Sequence, residues 1–158
     1  MSTHTKIVSV TAVTDSTPDY ASGDLCGGKL TFTAALSQDT GTGMLISVNI
    51  CDKSGQVGDV DLILFDSDPS STTFTENGTF AVDPADVTKI MAVIGPRSAT
   101  DFTFTTGVKS LGSLAWPLRA VSSTGAPART FYGAMVAREA INLASASDLT
   151  VRLGIVLD

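Results

Sequence analysis

A chain of 158 residues is long enough for one domain with its own core. Its net charge is −6, only 16% of its residues are charged and its ten basic residues are scattered singly, which excludes a phosphate-neutralising patch and with it direct nucleic-acid binding. The longest apolar run, Ile90 to Ile94, is far short of the ~20 residues a bilayer-spanning helix needs, and residues 1–10 lack the apolar stretch of a secretory leader, so the expectation is no membrane and synthesis in a cytoplasm.

The acids are fourteen Asp and two Glu, and Thr (21) with Ser (17) makes up about a quarter of the chain. Glu is the helix-friendly acid, whereas Asp and Ser favour turns and Thr packs well in strands. All-β structure follows, and period-2 alternation locates it. Residues 1–6 read as a flexible arm. Lys6–Val13 can face Val8, Val10 and Ala12 one way. Residues 29–36 place Leu30, Phe32 and Ala34 on one side, and 44–50 place Met44, Ile46, Val48 and Ile50 opposite Ser47 and Asn49. These two runs flank "SQDTGTG" and predict a hairpin.

Val60–Phe65 alternates Val60, Leu62 and Leu64 with Asp61, Ile63 and Phe65, so both of its faces are apolar after Asp61, which is expected to face solvent. One short helix is predicted over 83–94, with Asp83 as N-cap, Pro84 in the first position and Val87, Ile90 and Met91 on one face. Further strands are predicted within 101–106, 113–121, 129–138 and 148–157. The row Leu149, Val151, Leu153, Ile155, Leu157 is the cleanest of them. Pro117 removes a ladder donor and predicts an edge or a break. Ser122–Thr130 reads as a long exposed loop. Eight or nine short strands with turns between them suit an antiparallel β-sandwich or jelly roll with one short helix, in a single domain over 1–158.

The stretch "VDLILFDSDPSSTTFTENG" tests the chain for a metal site. An EF-hand needs glycine at its sixth position and Glu at its twelfth; counted from Asp66 these are Ser71 and Asn77. The motif fails, leaving Asp66 and Asp68 as weak candidates for a looser calcium site. Turns at Pro69 and at Asn77-Gly78 explain the same residues without a metal. His4 is the one histidine and no nucleophile motif is present; no catalytic residue and no cofactor is assigned, and the chain is read as non-enzymatic. Cys26 and Cys51 fall near opposition in the predicted hairpin. A disulfide is conceivable there, with reduced thiols favoured in a cytosol. Trp116 reads as packing rather than ligand stacking. Arg119, Arg129, Arg138 and Arg152 read as solvated or interface charges.

The segments "GGKLTFTAAL", "GTGMLISVNICDKSGQ", "DVDLILFDSDPSSTTFTENGTF", "DVTKIMAVIG" and "RTFYGAMVAR…SDLTVRLGIVLD" together resemble small tailed-phage virion proteins, capsid decoration (cement) proteins above all. The resemblance spans about Gly27 to Asp158 and rests on order and pattern rather than one short motif. It implies a β-sandwich subunit that docks on the outer surface of a shell of major capsid protein as a dimer or trimer, with no catalytic residues to carry over. The contact candidates are His4 and Thr5 in the arm, Trp116 and Pro117, and Thr124 and Arg129 in the late loop. The alternatives are a calcium- or carbohydrate-binding sandwich using Asp66, Asp68 and Trp116, or a neck or tail component of the virion.

Overall fold

The row Leu149 to Leu157 is buried along its whole length, and the strand that carries it, β12 (Leu149–Leu157), is the spine of one sheet. The computed structural model describes residues 4–14, 19–38, 41–53, 58–95, 102–104, 107–121, 129–143 and 145–157. It sets β1 (His4–Thr11) on one side of β12 and β4 (Thr42–Asp52) on the other. β4 is long enough to hold β9 (Trp116–Arg119) along its first half and β8 (Val108–Leu111) along its second, and β7 (Phe102–Phe104) pairs with β8. The opposing sheet runs β3 (Leu30–Phe32), β10 (Phe131–Ala137), β5 (Val60–Phe65), β6 (Ile90–Ile94). A two-stranded ribbon joins β2 (Asp19–Tyr20) to β11 (Ile141–Asn142).

Among the described residues every strand pairing is antiparallel. Phe32, Leu62, Leu64, Phe131 and Met135 from one large sheet share a buried cluster with Val48, Ile50, Val151, Leu153 and Ile155 from the other. The architecture is the antiparallel β-sandwich that composition and alternation predicted. Among the described residues, no helix is long and apolar enough to cross a membrane.

β5 explains its own double-apolar sequence. Val60, Leu62 and Leu64 point into the sandwich, while Ile63 and Phe65 join Leu25, Ala134 and Val136 in a second cluster on the outer face of the sheet. Segment 66–86 covers that face, laying Phe74, Phe80 and Val82 against it, while Asp24–Cys26 pair edge-on with β10 in the plane of the sheet. The cover is fastened by polar contacts. Lys29 Nζ lies 2.8 Å from Asp68 Oδ1 and over the rings of Phe74 and Tyr132. Glu76 accepts hydrogen bonds from the Tyr20 hydroxyl and the Gly27 amide. Gly27 has a φ of +83°, and a Cβ there would meet the Cβ of Ala12 at 2.3 Å, so only glycine lets this segment pass against the end of β1. Asp61 is therefore not on a solvent face: it is 5% exposed and its carboxylate meets the Arg138 guanidinium.

Four other expectations are corrected. The predicted 29–36/44–50 hairpin does not form; β3 pairs with β10 and β4 with β12, β8 and β9. Within β4 the register slips between Ser47, opposite Gly154, and Leu45, opposite Ile155. The extra residue reverses the alternation, so Leu45 is fully buried and Met44 is 45% exposed, instead of sharing a face with Val48 and Ile50. The helix over 83–94 is a single 3-10 turn, Val87–Lys89. Ile90–Ile94 becomes β6 because pairing with β5 buries Ala92 and Ile94 on the core face, which suits its β-branched residues better than a short helix. His4, Thr5 and Lys6 are not an arm but strand residues opposite Leu157, Val156 and Ile155. Cys26 and Cys51 are both free thiols, the first buried in the main core cluster and the second on β4 opposite Thr150 and Val108.

Candidate functional site

The six-stranded sheet ends in β1 on one side and, on the other, in β9 along the first half of β4 and in β7 beyond its second half; the sequence-derived contact residues divide between β1 and β9. At the β1 end, His4 and Thr5 are exposed. The Lys6 ammonium reaches across the sandwich to the Ala34 carbonyl, and the next residue, Ala35, donates its amide to the carbonyl of Arg129 at 2.7 Å. Arg129 thus belongs to the same end as His4 and Thr5. Thr124 lies outside the described residues, as does most of the loop predicted over Ser122–Thr130.

At the other end, Pro117 sits opposite Met44 and Trp116 opposite Leu45. Among the described residues β9 pairs only with β4, which is the edge placement that Pro117 required. Trp116 is 38% exposed, and its indole Nε1 donates to the Met91 carbonyl of β6 at 3.1 Å. This bond laces the rim of one sheet to the rim of the other. Beside it lies a cleft of about 520 Å3, lined by Thr42, Gly43, Asp66, Met91, Pro117, Leu118, Arg119 and Val121. The Val121 amide donates to the Asp66 carbonyl at 2.9 Å and the Asp66 amide to the Lys89 carbonyl at 3.0 Å, which fixes the cleft floor.

The two acids proposed for calcium have separate surroundings. Asp66 lines the cleft and accepts from the Ser67 hydroxyl at 2.8 Å, whereas Asp68 is held by Lys29. Turns occupy the places predicted for them: the Ser70 amide bonds to the Asp68 carbonyl, the Thr72 amide to that of Pro69, and the Gly78 amide to that of Thr75, with Asn77 at φ +55°. Among the described residues, no three His, Cys, Asp or Glu side chains converge as metal ligands.

The strongest electrostatic perturbations lie away from the cleft. Burial, and then Glu76, push the Tyr20 hydroxyl well above its usual range, and burial followed by the Glu76 charge pushes the Cys26 thiol up to about 12. Both groups are held protonated and packed. Sequence reasoning picked out Asp66, Trp116 and Pro117, and read Arg119 as a solvated or interface charge, but missed Met91 and Val121 as part of the site. Their signal is the β4–β9 and β5–β6 pairing, which no local pattern carries.

No family model and no curated protein matches the sequence. Solved structures that are distantly similar include an adhesin domain and a viral chain. The cleaved adhesin domain K3 of Lys-gingipain from Porphyromonas gingivalis is 13% identical with a TM-score of 0.31, over 96% of this chain and 72% of that one. A chain of turnip yellow mosaic virus is 13% identical with a TM-score of 0.32, over 98% of this chain and 79% of that one. Likenesses this slight carry no argument about function.

Proposed function

We propose that this chain is a structural virion protein that docks on the outer surface of a tailed-phage capsid and reinforces it, with no bond-making chemistry of its own. The observation that carries this reading is the seam at the β9 end. Val121 is left partly exposed on a preformed cleft and Trp116 and Met44 on the strands beside it, on a chain with few charges to keep them solvated. Exposed aromatic and methionine side chains at a rigid rim are what a protein-binding anchor looks like. The resemblance of the sequence to capsid decoration proteins supplies the partner, a lattice of major capsid protein. Repetition of the subunit on such a lattice turns modest single contacts into stable attachment. The test is to mix the purified protein with shells that lack it. Saturable binding at a fixed ratio to the shell protein, with shells more resistant to heat, is expected. Absence of binding to any such shell, or turnover of a small molecule, overturns the proposal.

The second reading is a carbohydrate- or calcium-dependent module using the same cleft, favoured by Asp66 lining it with Trp116 at its rim. That reading expects a rise in melting temperature with calcium or an oligosaccharide; the virion reading expects indifference to both.

A further inference from the structure

The register between β1 and β12 decides where the backbone groups of β1 point. The Ala12 amide donates to the Leu149 carbonyl at 2.9 Å, continuing by one step the register that runs from His4–Leu157 to Thr11–Thr150. In an antiparallel ladder, bonded pairs alternate with unbonded ones. The even-numbered residues of β1 therefore bond to β12, and the amides and carbonyls of Thr5, Ile7, Ser9 and Thr11 point away from it. Among the described residues, no strand pairs with them there. Their side chains are exposed on the outer face, Ile7 at 62%.

The other sheet edges are short or blocked. β3 and β7 have three residues each, β9 contains Pro117, and the Met91 carbonyl of β6 is taken by Trp116. β1 has eight residues, no proline and no bulge, and its one lysine turns inward to Ala34. An edge this long, with no proline or bulge and its one charge satisfied within the subunit, is a template for an added strand.

We propose that this edge pairs with the β1 edge of a second copy, antiparallel about a two-fold axis at Ile7. Ile7 then faces its own counterpart, covering the most exposed apolar residue of the strand. Thr5 faces Ser9, a hydroxyl pair, and Lys6 faces Val8, so no like charges oppose each other across the ladder. Charge does not oppose self-pairing here: the chain carries −6 overall, yet no acid occurs between His4 and Thr14. Two copies can thus approach along this edge without opposing carboxylates. The reading is independent of the capsid proposal, since it concerns the protein alone in solution.

The test is sedimentation velocity of the full chain over a concentration series, with Ile7→Lys and Ser9→Pro variants checked for an unchanged far-ultraviolet spectrum. Ile7 is exposed, and the Ser9 amide makes no bond to β12, so both variants spare the ladder within the subunit. A dimer is expected, with its association midpoint moved at least about tenfold to higher concentration by each substitution. If Ser9→Pro unfolds the chain, Ile7→Lys alone decides. A monomer at every concentration, including one that instead captures a foreign strand-forming peptide, overturns the proposal, as does a dimer indifferent to Ile7→Lys.

Discussion

Asp86 is a carboxylate buried completely for architecture. Its Oδ2 accepts from the amides of Ser71 and Thr72 at 2.9 and 2.7 Å and from the Thr72 hydroxyl at 2.8 Å, while Oδ1 lies 2.7 Å from Lys89 Nζ. Burial raises its pKa, but Lys89 and Thr72 together outweigh burial and hold it at about 2, against an ordinary 3.8. The folded state thus binds this proton more weakly than the unfolded state. The stabilisation is complete above about pH 4 and fades as pH falls toward 2. Asp86→Asn is expected to lower the urea midpoint at neutral pH and to lose most of that deficit at pH 2; a deficit constant across that range removes the ionised form from the account. Cys26 works in the opposite direction. With its pKa raised from 9.0 to about 12, the folded state holds the proton more tightly, so its contribution is intact below about pH 9 and is lost as pH climbs toward 12. A buried thiol also reacts slowly. Alkylation of the native protein followed by mass spectrometry is expected to mark the half-buried Cys51 at least about tenfold faster than Cys26, the two converging in denaturant. Equal native rates count against the buried placement of Cys26.

At the level of elements, legibility followed burial. β12 was plain because one of its faces is buried from end to end, and β5 because both of its faces are. β4 was misphased because a bulge leaves no mark in a run such as Met44–Ile50: Ile46 could sit on either side until Gly154 and Ile155 set the register. The helix over 83–94 was over-read because a proline after a capping aspartate also starts a turn. The Asp83 side chain does accept from the Ala85 amide at 2.8 Å, yet only a 3-10 turn follows before β5 draws Ile90–Ile94 into the sheet. The outer cover over β5 and β10 has no periodic signature; its evidence was the unexplained second apolar face of β5. If that cover is a separate layer, Phe74→Ala should loosen it and spare the sandwich. Phe74 stacks on Phe80 at 5.4 Å and edge-on to Phe65 at 6.5 Å. Being half-buried, it should cost less than the roughly 3–5 kcal/mol of a fully buried phenylalanine. Hydrogen exchange is expected to quicken across 66–86 while β4 and β12 keep their protection; uniform quickening in every strand would falsify the layered description.

At the scale of the whole molecule, the two ends of the six-stranded sheet have different chemistry, and that difference makes the docking proposal measurable. The β9 end offers an indole, a methionine and a valine around a cleft in which Asp66 and Arg119 are the two charged residues. Asp66 and Pro117 could be picked from the sequence as unusual residues; that they meet at one cleft, with Trp116 next to it, depends on β9 pairing with β4 and β6 with β5, which are contacts distant along the chain. If this end seats on a capsid lattice, apolar contact must dominate, because 16% charged residues at a net charge of −6 leave little for ionic docking. Interactions between exposed charges weaken as the Debye length shrinks from about 10 Å at 0.1 M salt to about 3 Å at 1 M, whereas apolar burial does not. Attachment to shells is therefore expected to change less than about threefold between about 0.05 and 0.5 M sodium chloride. Trp116→Ala should weaken it at least about tenfold, as loss of a central aromatic anchor does. The same substitution removes the bond to Met91, so the variant's melting curve must accompany the binding curve, and Trp116→Phe separates the two effects: it keeps the ring, loses about 1 kcal/mol of hydrogen bonding and should retain most of the attachment. Binding that collapses in salt yet tolerates Trp116→Ala would move the contact away from this seam to a charged surface elsewhere on the subunit.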